Sequence, residues 1–194
     1  MDSSQAVYWN KFYKSNLILE SKCSDFCRFV ISFFKNVQIK SVLDCGFGTG
    51  RDTFELGKHY KVKGVDNSGY IPDAPSNIPI SFETGDFVHF DKSNFDLIYS
   101  RFTFHSINDL QQRDFLESVP RHTYIAIETR SNKSKDDKLV HGNDTHYRNL
   151  TDLGAFQQLI EEKNFEVLYI KEDANFAIYK GENPICIRAV LRRI

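Results

Sequence analysis

The sequence has no excess of charge of either sign. Its 194 residues include 25 Lys and Arg against 26 Asp and Glu, so the formal net charge is -1 at pH 7. A protein that holds nucleic acid by neutralising phosphates concentrates basic residues, and this balance therefore gives no reason to expect a nucleic-acid partner. The length suits one compact domain, and a hydrophobic content of 41% suits a packed core.

Cysteine is scarce, and its spacing is not that of a metal site. The four cysteines form no C-x-x-C pair. Cys23 and Cys27 lie one helical turn apart, but no second pair of ligands follows to complete a zinc site. We therefore expect structural thiols in a reducing cytosol and no bound metal.

Long apolar runs are also absent. The most apolar stretch, residues 26–34, is shorter than a membrane span and contains Arg28. The first residues, Met-Asp-Ser-Ser, have neither the basic segment nor the apolar segment of a secretory signal. The sequence thus predicts a cytoplasmic protein without a membrane partner.

A glycine-rich stretch organises the rest of the chain. Residues 41–50 read Ser-Val-Leu-Asp-Cys-Gly-Phe-Gly-Thr-Gly, which predicts a short buried strand, an acidic residue at its end and a loop with three alternating glycines. A helical pattern begins at Arg51. Glycine lets the backbone approach a ligand closely, and the crevice at the carboxyl end of a parallel strand is where open α/β sheets bind ligands.

Two common phosphate-binding fingerprints do not fit this loop. A dinucleotide site requires G-x-G-x-x-G/A, and the third position falls on Arg51, whose bulk would spoil the close packing of helix and strand. A P-loop needs Gly-Lys followed by Ser or Thr, whereas residues 50–52 are Gly-Arg-Asp. A nicotinamide-dependent oxidoreductase on the same kind of sheet stays an alternative that Arg51 disfavours.

Residues 44–50 match Asp-x-Gly-x-Gly-x-Gly at every fixed position, and in this they resemble motif I of the class I S-adenosylmethionine-dependent methyltransferases. The resemblance continues in block order over about residues 8–190. It implies a single domain, residues 1–194, with a Rossmann-like seven-stranded sheet that is mostly parallel, has helices on both faces and ends in an antiparallel strand. The alternation of helical and strand patterns independently favours a parallel-rich α/β sheet.

Two further blocks follow at the expected places. Asp66 ends the predicted second strand, where a carboxylate can accept hydrogen bonds from both ribose hydroxyls. The predicted third strand, residues 80–84, leads into Gly85-Asp86-Phe87. There the resemblance implies that Asp86 accepts from the adenine amino group and that Phe87 offers an apolar face to the purine. It thus implies S-adenosyl-L-methionine as the cofactor and assigns to its site Trp9, Tyr13, Asp44, Gly46, Phe47, Gly48, Gly50, Arg51, Asp66, Asn67, Asp86, Phe87 and Ser100.

The first 36 residues predict two helices. Aromatic residues, among them Trp9 and Tyr13, recur at helical spacing near the N-terminus. Two interpretations stay open for this segment. It is an amphipathic helix packed on the core, or, as in many small methyltransferases, a segment that folds over the cofactor.

The acceptor site is expected beyond the fourth and fifth strands. Residues 131–150 form a polar stretch that is long for a connection, which favours a substrate loop. His105 is the candidate catalytic base, or else a histidine satisfied by its surroundings, and a base is needed only if the acceptor must lose a proton. Arginine suits phosphate or carboxylate because its donors form a fork. The candidate acceptor-binding residues are Arg101, Arg130, His146, Tyr147 and Arg148.

Three short stretches carry a narrower resemblance. Residues 128–131, 146–148 and 181–184 resemble small methyltransferases encoded among bacterial capsule and surface-polysaccharide genes, with departures at Thr49 and Asn183. This implies a small anionic acceptor that carries phosphate or sugar. A non-catalytic cofactor-binding subunit is the other alternative, and the intact acidic residues of the three motifs argue against it.

Overall fold

The computed structural model describes residues 3–15, 22–134, 148–178 and 181–194. Strands and helices alternate along these residues. The strands are β1 (Ser41–Cys45), β2 (Lys61–Asp66), β3 (Ile80–Thr84), β4 (Leu97–Arg101), β5 (Tyr124–Arg130), β6 (Phe165–Asp173) and β7 (Cys186–Arg193). The helices are α1 (Ser3–Ser15), α2 (Asp25–Phe33), α3 (Arg51–Leu56), α4 (Asp109–Glu117) and α5 (Leu153–Glu162), and a 3₁₀ turn covers Phe104–Ser106.

The strands form one sheet in the order β3-β2-β1-β4-β5-β7-β6. The first five strands of this order are parallel, and β7 runs antiparallel between β5 and β6. The predicted seven-stranded, mostly parallel sheet with an antiparallel last strand is therefore confirmed. The strand order reverses between β1 and β4, and such a reversal opens a crevice at the carboxyl ends of the strands.

A buried hydrophobic core lies on each face of the sheet. Because successive side chains of a strand point to opposite faces, Val42 of β1 joins the core made with α2, where Phe26 and Val30 are buried. Leu43, the next residue, joins the other core, which includes Phe115 of α4. Helices thus cover both faces, as predicted.

Side-chain caps begin three of the helices, among them α4, where the Asn108 side chain accepts the N–H of Gln111. The Ser24 hydroxyl accepts the N–H of Cys27 at the start of α2 over 3.0 Å. The Asp152 carboxylate accepts the N–H of Ala155 at the start of α5 over 2.9 Å. Each cap satisfies an N–H that would otherwise lack a partner in the first turn.

Strand β5 continues beyond its apolar residues. Its polar residues 128–130 stay paired with β7, which extends the strand to Arg130. Helix α2 occupies Asp25–Phe33.

Along the described ranges, no helix is both long and apolar enough to cross a membrane. The same ranges contain no group of three or more His, Cys, Asp or Glu side chains that could hold a metal ion. The four cysteines are free thiols.

Candidate functional site

The glycine loop between β1 and α3 lies at the centre of the crevice. Gly46 and Gly48 have positive φ angles of 78° and 56°, a region that residues with side chains rarely adopt. Both positions are also crowded: a Cβ on Gly46 would lie 2.0 Å from Cγ2 of Thr103, and one on Gly48 would lie 3.1 Å from the hydroxyl oxygen of Tyr13. Backbone conformation and space therefore both restrict these positions to glycine.

Strand register brings the three predicted cofactor motifs to one edge of the sheet. The ends of β1 and β2 lie side by side, so the loop that starts at Gly46 begins next to Asp66. Asp66 pairs with Thr84 at the end of β3, and the N–H of Gly85 donates to the Asp66 carbonyl oxygen over 3.0 Å. Asp86 follows directly. The tertiary structure thus places next to one another residues that are 20 or more positions apart in the chain.

The Asp66 carboxylate supports the glycine loop. Its Oδ2 accepts the N–H of Gly48 over 3.0 Å, and its Oδ1 accepts the N–H of Ser68 over 2.8 Å. Asn67, between Asp66 and Ser68 in the chain, is half-buried. Each carboxylate oxygen can accept a second hydrogen bond, so the acid that holds the loop can still receive a ribose hydroxyl.

Helix α1 lies across the crevice. The side-chain amide of Asn10 donates to the carbonyl oxygen of Ser68 over 2.6 Å, and the Tyr13 hydroxyl lies against Gly48. Trp9 stacks on Tyr13 with the ring centroids 5.6 Å apart. Of the two interpretations of this helix, these contacts favour the one in which it lies over the cofactor loop.

Asp44, near the end of β1, is buried beneath the loop. It is 2% exposed, and its Oδ2 accepts the hydroxyl of Thr53 over 2.6 Å. Burial is the main cause that raises its pKa to about 7; the charges of Asp52 and Asp66 add to the increase, whereas the Thr53 hydroxyl and Arg101 oppose it. The carboxyl group is thus protonated over part of the pH range in which a free aspartate is ionised.

This shift predicts how the stability of the cofactor-free protein depends on pH. The folded protein keeps a proton on Asp44 that the unfolded chain releases near a pKa of about 3.9. The stabilising contribution of that proton is therefore complete below this pH and is lost as the pH rises to about 7. We expect the free energy of unfolding of wild type to fall more steeply than that of Asp44→Asn, by up to about 1.4 kcal/mol per pH unit. Urea denaturation between about pH 5 and about pH 7 measures the slopes, and parallel curves would contradict the assignment.

A buried polar network that the sequence did not reveal supports the loop from below. The carboxylate of Asp52, in the first turn of α3, accepts the N–H and the hydroxyl of Ser24, both over 2.7 Å, and the Tyr99 hydroxyl over 2.7 Å. Gly50, the residue before α3, has a φ of 80°, and Nε of Arg51 lies 3.9 Å from Asp52 Oδ1. Acidic residues are common in first turns because the helix dipole stabilises a negative charge there. Asp52 therefore looks like an ordinary first-turn residue, and the sequence did not indicate that it is buried.

Two other predicted cofactor residues pack around the loop. Phe47 is buried against Phe82, with the ring centroids 4.7 Å apart. Ser100 is buried at the end of β4, and its hydroxyl oxygen lies 2.6 Å from that of Thr103. Because Thr103 is the residue that Gly46 approaches, this contact couples the end of β4 to the glycine loop.

In the loop after β3, the side chains of Asp86 and Phe87 lie in different surroundings. The Asp86 carboxylate accepts the N–H of Val88 over 3.0 Å, and its other oxygen lies 3.1 Å from Nδ1 of His89. The Phe87 residue is 2% exposed, and its ring packs edge-on against Phe115. This placement corrects the predicted role of Phe87, because its ring completes the hydrophobic core instead of presenting a face to the purine.

A buried ion-pair triad joins the ends of β4, β5 and β7. Glu128 is 0% exposed and lies in register with Arg101 on one side and Arg188 on the other. Its two oxygens accept from Nε of Arg101 over 3.0 Å and from Nε of Arg188 over 2.5 Å. Burial raises the pKa of Glu128, and the two guanidiniums oppose that increase. The sequence prediction assigned Arg101 to the acceptor and missed Glu128, whose partners are 27 and 60 residues away along the chain.

Phe102 links the triad to Arg130. Its φ is 60°, which is strained for an aromatic residue. The guanidinium carbon of Arg101 lies 4.4 Å from the ring centroid, and that of Arg130 lies 5.6 Å from it. Arg130 is buried at the end of β5, and its Nη2 lies 3.5 Å from a carboxylate oxygen of Glu182. Two arginines predicted for the acceptor therefore come together, each beside a carboxylate.

His105 is buried next to this cluster. Its Nδ1 accepts the N–H of Arg130 over 3.1 Å, and Oγ1 of Thr129 lies 3.2 Å from the same nitrogen. A neutral imidazole that accepts at Nδ1 carries its proton on Nε2, so the second nitrogen is a donor. These contacts favour the satisfied histidine over the predicted catalytic base.

The chain returns to this end of the sheet after the polar loop. The N–H of Asn149 donates to the carbonyl oxygen of His105 over 2.7 Å. Arg148, the preceding residue, is half-buried in that neighbourhood. His146 and Tyr147, which were also predicted to bind the acceptor, lie outside the described residues.

Known proteins share both a sequence domain and the fold with this chain. Residues 42–124 match the family described as Methyltransferase domain. No curated protein matches the chain in sequence. Among solved structures, a S-adenosylmethionine-dependent methyltransferase from Methanosarcina mazei aligns at 13% identity and a TM-score of 0.67, over 84% of this chain and 97% of that chain.

Two further solved structures are similar to the same extent. A glycopeptide N-methyltransferase complexed with S-adenosylhomocysteine aligns at 13% identity and a TM-score of 0.67, over 87% of this chain and 88% of that chain. The 1,6-didemethyltoxoflavin-N1-methyltransferase of Burkholderia thailandensis aligns at 15% identity and a TM-score of 0.66, over 97% of this chain and 88% of that chain. At such identities the likeness establishes the fold.

The matched region contains the three predicted cofactor motifs. It includes the glycine loop, Asp66 and Asp86, and it extends to the start of β5. The order of these motifs, the family match over them and the sheet topology agree. Residues 42–124 are therefore similar to a methyltransferase domain, and the chain has the class I methyltransferase fold.

Proposed function

We propose that the protein transfers the methyl group of S-adenosylmethionine to a small anionic acceptor at the ends of β4 and β5. The observation that supports this is the charge balance of the buried triad: the guanidiniums of Arg101 and Arg188 share the single carboxylate of Glu128. An excess buried charge costs free energy unless an opposite charge compensates it. Arg130 lies against the same Phe102 ring as Arg101 and is paired with Glu182. An anionic acceptor would compensate this positive charge.

The residues at the cofactor edge fit the cofactor. Gly46 and Gly48 let the loop adopt positive φ angles and lie close to Thr103 and Tyr13 in the crevice. Asp66 presents carboxylate oxygens for the ribose hydroxyls. Asp86, whose side chain is one-third exposed, accepts from the adenine amino group. Trp9 and Tyr13 cover the crevice.

Catalysis of methyl transfer depends mainly on how the protein positions the acceptor relative to the cofactor. When bound, S-adenosylmethionine supplies a sulfonium whose methyl group is already activated for transfer. The protein must align the nucleophilic atom of the acceptor with the S–CH₃ bond and exclude water. An acceptor atom that arrives ionised needs no general base, which agrees with the protonated Nε2 of His105.

The narrower resemblance suggests a biological setting. The stretches 128–131 and 181–184 supply Glu128, Arg130 and Glu182, which all lie at the proposed acceptor end of the sheet. This position supports a role in surface-polysaccharide biosynthesis, with a phosphate- or sugar-bearing acceptor. We propose that the reaction takes place in the cytoplasm.

Two measurements test this function. Calorimetric titration should show that S-adenosylhomocysteine binds and that NADH does not. A methyl-transfer screen against phosphorylated sugars, nucleotides and small phosphoesters then tests the acceptor class. Binding of NADH alone would support the oxidoreductase. Cofactor binding with no transfer to any anionic compound would support the non-catalytic subunit.

The acceptor arginines predict a selective kinetic defect. Arg130→Ala and Arg148→Ala should each lower kcat/KM for the acceptor by about tenfold to a hundredfold, because a hydrogen bond between charged groups contributes about 1.5–3 kcal/mol. The affinity for S-adenosylhomocysteine should stay nearly unchanged. Arg113→Ala is the matched control, since Arg113 forms an exposed ion pair with Glu162 on the helices. Parental transfer rates in both arginine variants would refute an anionic acceptor.

His105→Ala separates the two kinds of chemistry. If the acceptor arrives ionised, the variant should retain most of its kcat. A loss of about a hundredfold or more would indicate that His105 removes a proton from a neutral hydroxyl or amine. The melting temperature of the variant must be measured alongside, since the residue is buried.

The position of α1 predicts a fluorescence response. Trp9 is the only tryptophan of the chain and stacks on Tyr13, whose hydroxyl lies against the glycine loop. A ligand that enters the crevice must displace or contact this helix, so adding S-adenosylhomocysteine should change the Trp9 emission. An unchanged spectrum at concentrations where calorimetry shows saturation would mean that α1 is a static part of the domain.

A further inference from the structure

Lys92 is a buried lysine that none of the motifs includes. It is 1% exposed, and its Nζ donates to three backbone carbonyl oxygens, those of Phe87 and Val88 over 2.9 Å each and that of Phe90 over 3.1 Å. Nζ also lies 5.1 Å from the centroid of the Phe115 ring, where a cation–π contact stabilises it. An ammonium has three N–H donors, so each donor has a carbonyl partner.

A lysine at this position needs an explanation beyond the filling of space. Removing an ammonium from water is costly, and burial lowers the pKa of Lys92. A methionine would fill a similar volume in the core without that cost. The position therefore requires the three donors, which hold the turn of residues 87–90 from its inner side.

The same turn orients Asp86. The N–H of Val88 donates to the Asp86 carboxylate over 3.0 Å, and the N–H of Phe90 donates to the Asp86 carbonyl oxygen over 3.0 Å. Lys92 holds the carbonyl groups of these same two residues. The direction of the Asp86 carboxylate is thus coupled to the lysine through two peptide units.

We propose that Lys92 is a positioning residue for cofactor recognition, which holds the turn of residues 87–90 so that the Asp86 carboxylate meets the 6-amino group of adenine. The proposal rests on the proposed function, in which Asp86 accepts from that amino group. Lys92 lies beneath the turn and acts only through it.

The discrimination between two nucleobases tests this role. S-Inosylhomocysteine carries an oxygen in place of the 6-amino group, so position 6 accepts a hydrogen bond and can no longer donate one to Asp86. Calorimetry should show that wild type prefers S-adenosylhomocysteine by about tenfold or more, since a hydrogen bond to a charged group is lost. Lys92→Met should reduce this preference to about threefold or less, because the carboxylate is no longer held in place.

Controls separate positioning from a general loss of stability. Leu159→Ala, in the same hydrophobic core but on α5, should lower the melting temperature and leave the preference unchanged. In an Asp86→Ala background the preference is already lost, so Lys92→Met should reduce it no further. If Lys92→Met does not fold, Phe115→Leu removes the ring beneath Nζ and should lower the preference in part.

The possible outcomes distinguish a failure of the proposed function from a failure of the role proposed for Lys92. If wild type binds neither compound, the proposed function fails and this inference with it. Equal binding of both compounds by wild type would show that Asp86 does not read the base. A wild-type preference that persists in Lys92→Met, or that Leu159→Ala loses equally, would overturn the role of Lys92 alone.

Discussion

Gly46→Ala is expected to abolish detectable binding of S-adenosylhomocysteine. The substitution places a Cβ 2.0 Å from Cγ2 of Thr103, and a side chain at a φ of 78° is itself strained by about 1–2 kcal/mol. Thr103 is branched at Cβ and hydrogen-bonded to Ser100, so moving its side chain aside would cost free energy. The glycine loop must shift, and the Asp66 contacts that set its shape are lost. Calorimetry should show a loss of affinity of more than about a hundredfold, equivalent to about 2.7 kcal/mol.

The chain contains a control for the backbone strain alone. Gly181 has a φ of 85°, and a Cβ there would have no neighbour within 4 Å. Gly181→Ala should therefore cost about 1–2 kcal/mol of stability without any change in cofactor affinity. Thr103→Ser removes the methyl group that collides, so the double variant Gly46→Ala/Thr103→Ser should recover part of the binding. If Gly46→Ala binds like wild type, the close approach of the two loops is wrong.

Glu128→Ala is expected to destabilise the protein by about 3–5 kcal/mol, because it leaves buried guanidiniums without their common carboxylate. Arg101 and Arg188 lie on both sides of Glu128 in the sheet. The free energy of unfolding from urea denaturation measures the loss. Cofactor affinity should change less than acceptor turnover, since the triad lies at the ends of β4, β5 and β7 and not at the glycine loop.

An exposed ion pair provides the comparison. Arg113 and Glu162 are paired over 2.8 Å, with side chains that are 49% and 55% exposed. Glu162→Ala should cost about 0–1 kcal/mol, as is usual for pairs that stay in water. Equal losses for the two glutamate variants would mean that the triad is hydrated and that its excess positive charge provides no support for an anionic acceptor.

The edge of the sheet where the three motifs meet was predictable because its signals are local. The strand, the acid and the three glycines of residues 41–50 lie within ten positions, and turn chemistry and strand periodicity are both read over such short windows. Asp66 and Asp86 were identified because each stands at or just after the end of a predicted strand. The register of a parallel sheet then places all strand ends at the same edge, so little further information was needed.

The direction of a side chain within a loop was not predictable from the sequence. Phe87 follows a motif residue directly, yet its ring is in the core against Phe115. His105 follows β4, yet Nδ1 accepts the N–H of Arg130. Lys92 looks like an ordinary loop lysine in the sequence and is buried. A single position in an irregular segment carries no periodicity that would indicate its direction.

By itself the sequence determined the fold class and the edge of the sheet at which the glycine loop, Asp66 and Asp86 meet. Only the tertiary structure decided the electrostatics of the acceptor end, where Glu128 meets arginines 27 and 60 residues away. It also decided that Asp52 joins Ser24 and Tyr99 beneath the glycine loop. The physical reason is that motifs depend on backbone conformation over a few residues, whereas buried charges depend on which strands become neighbours and in which register.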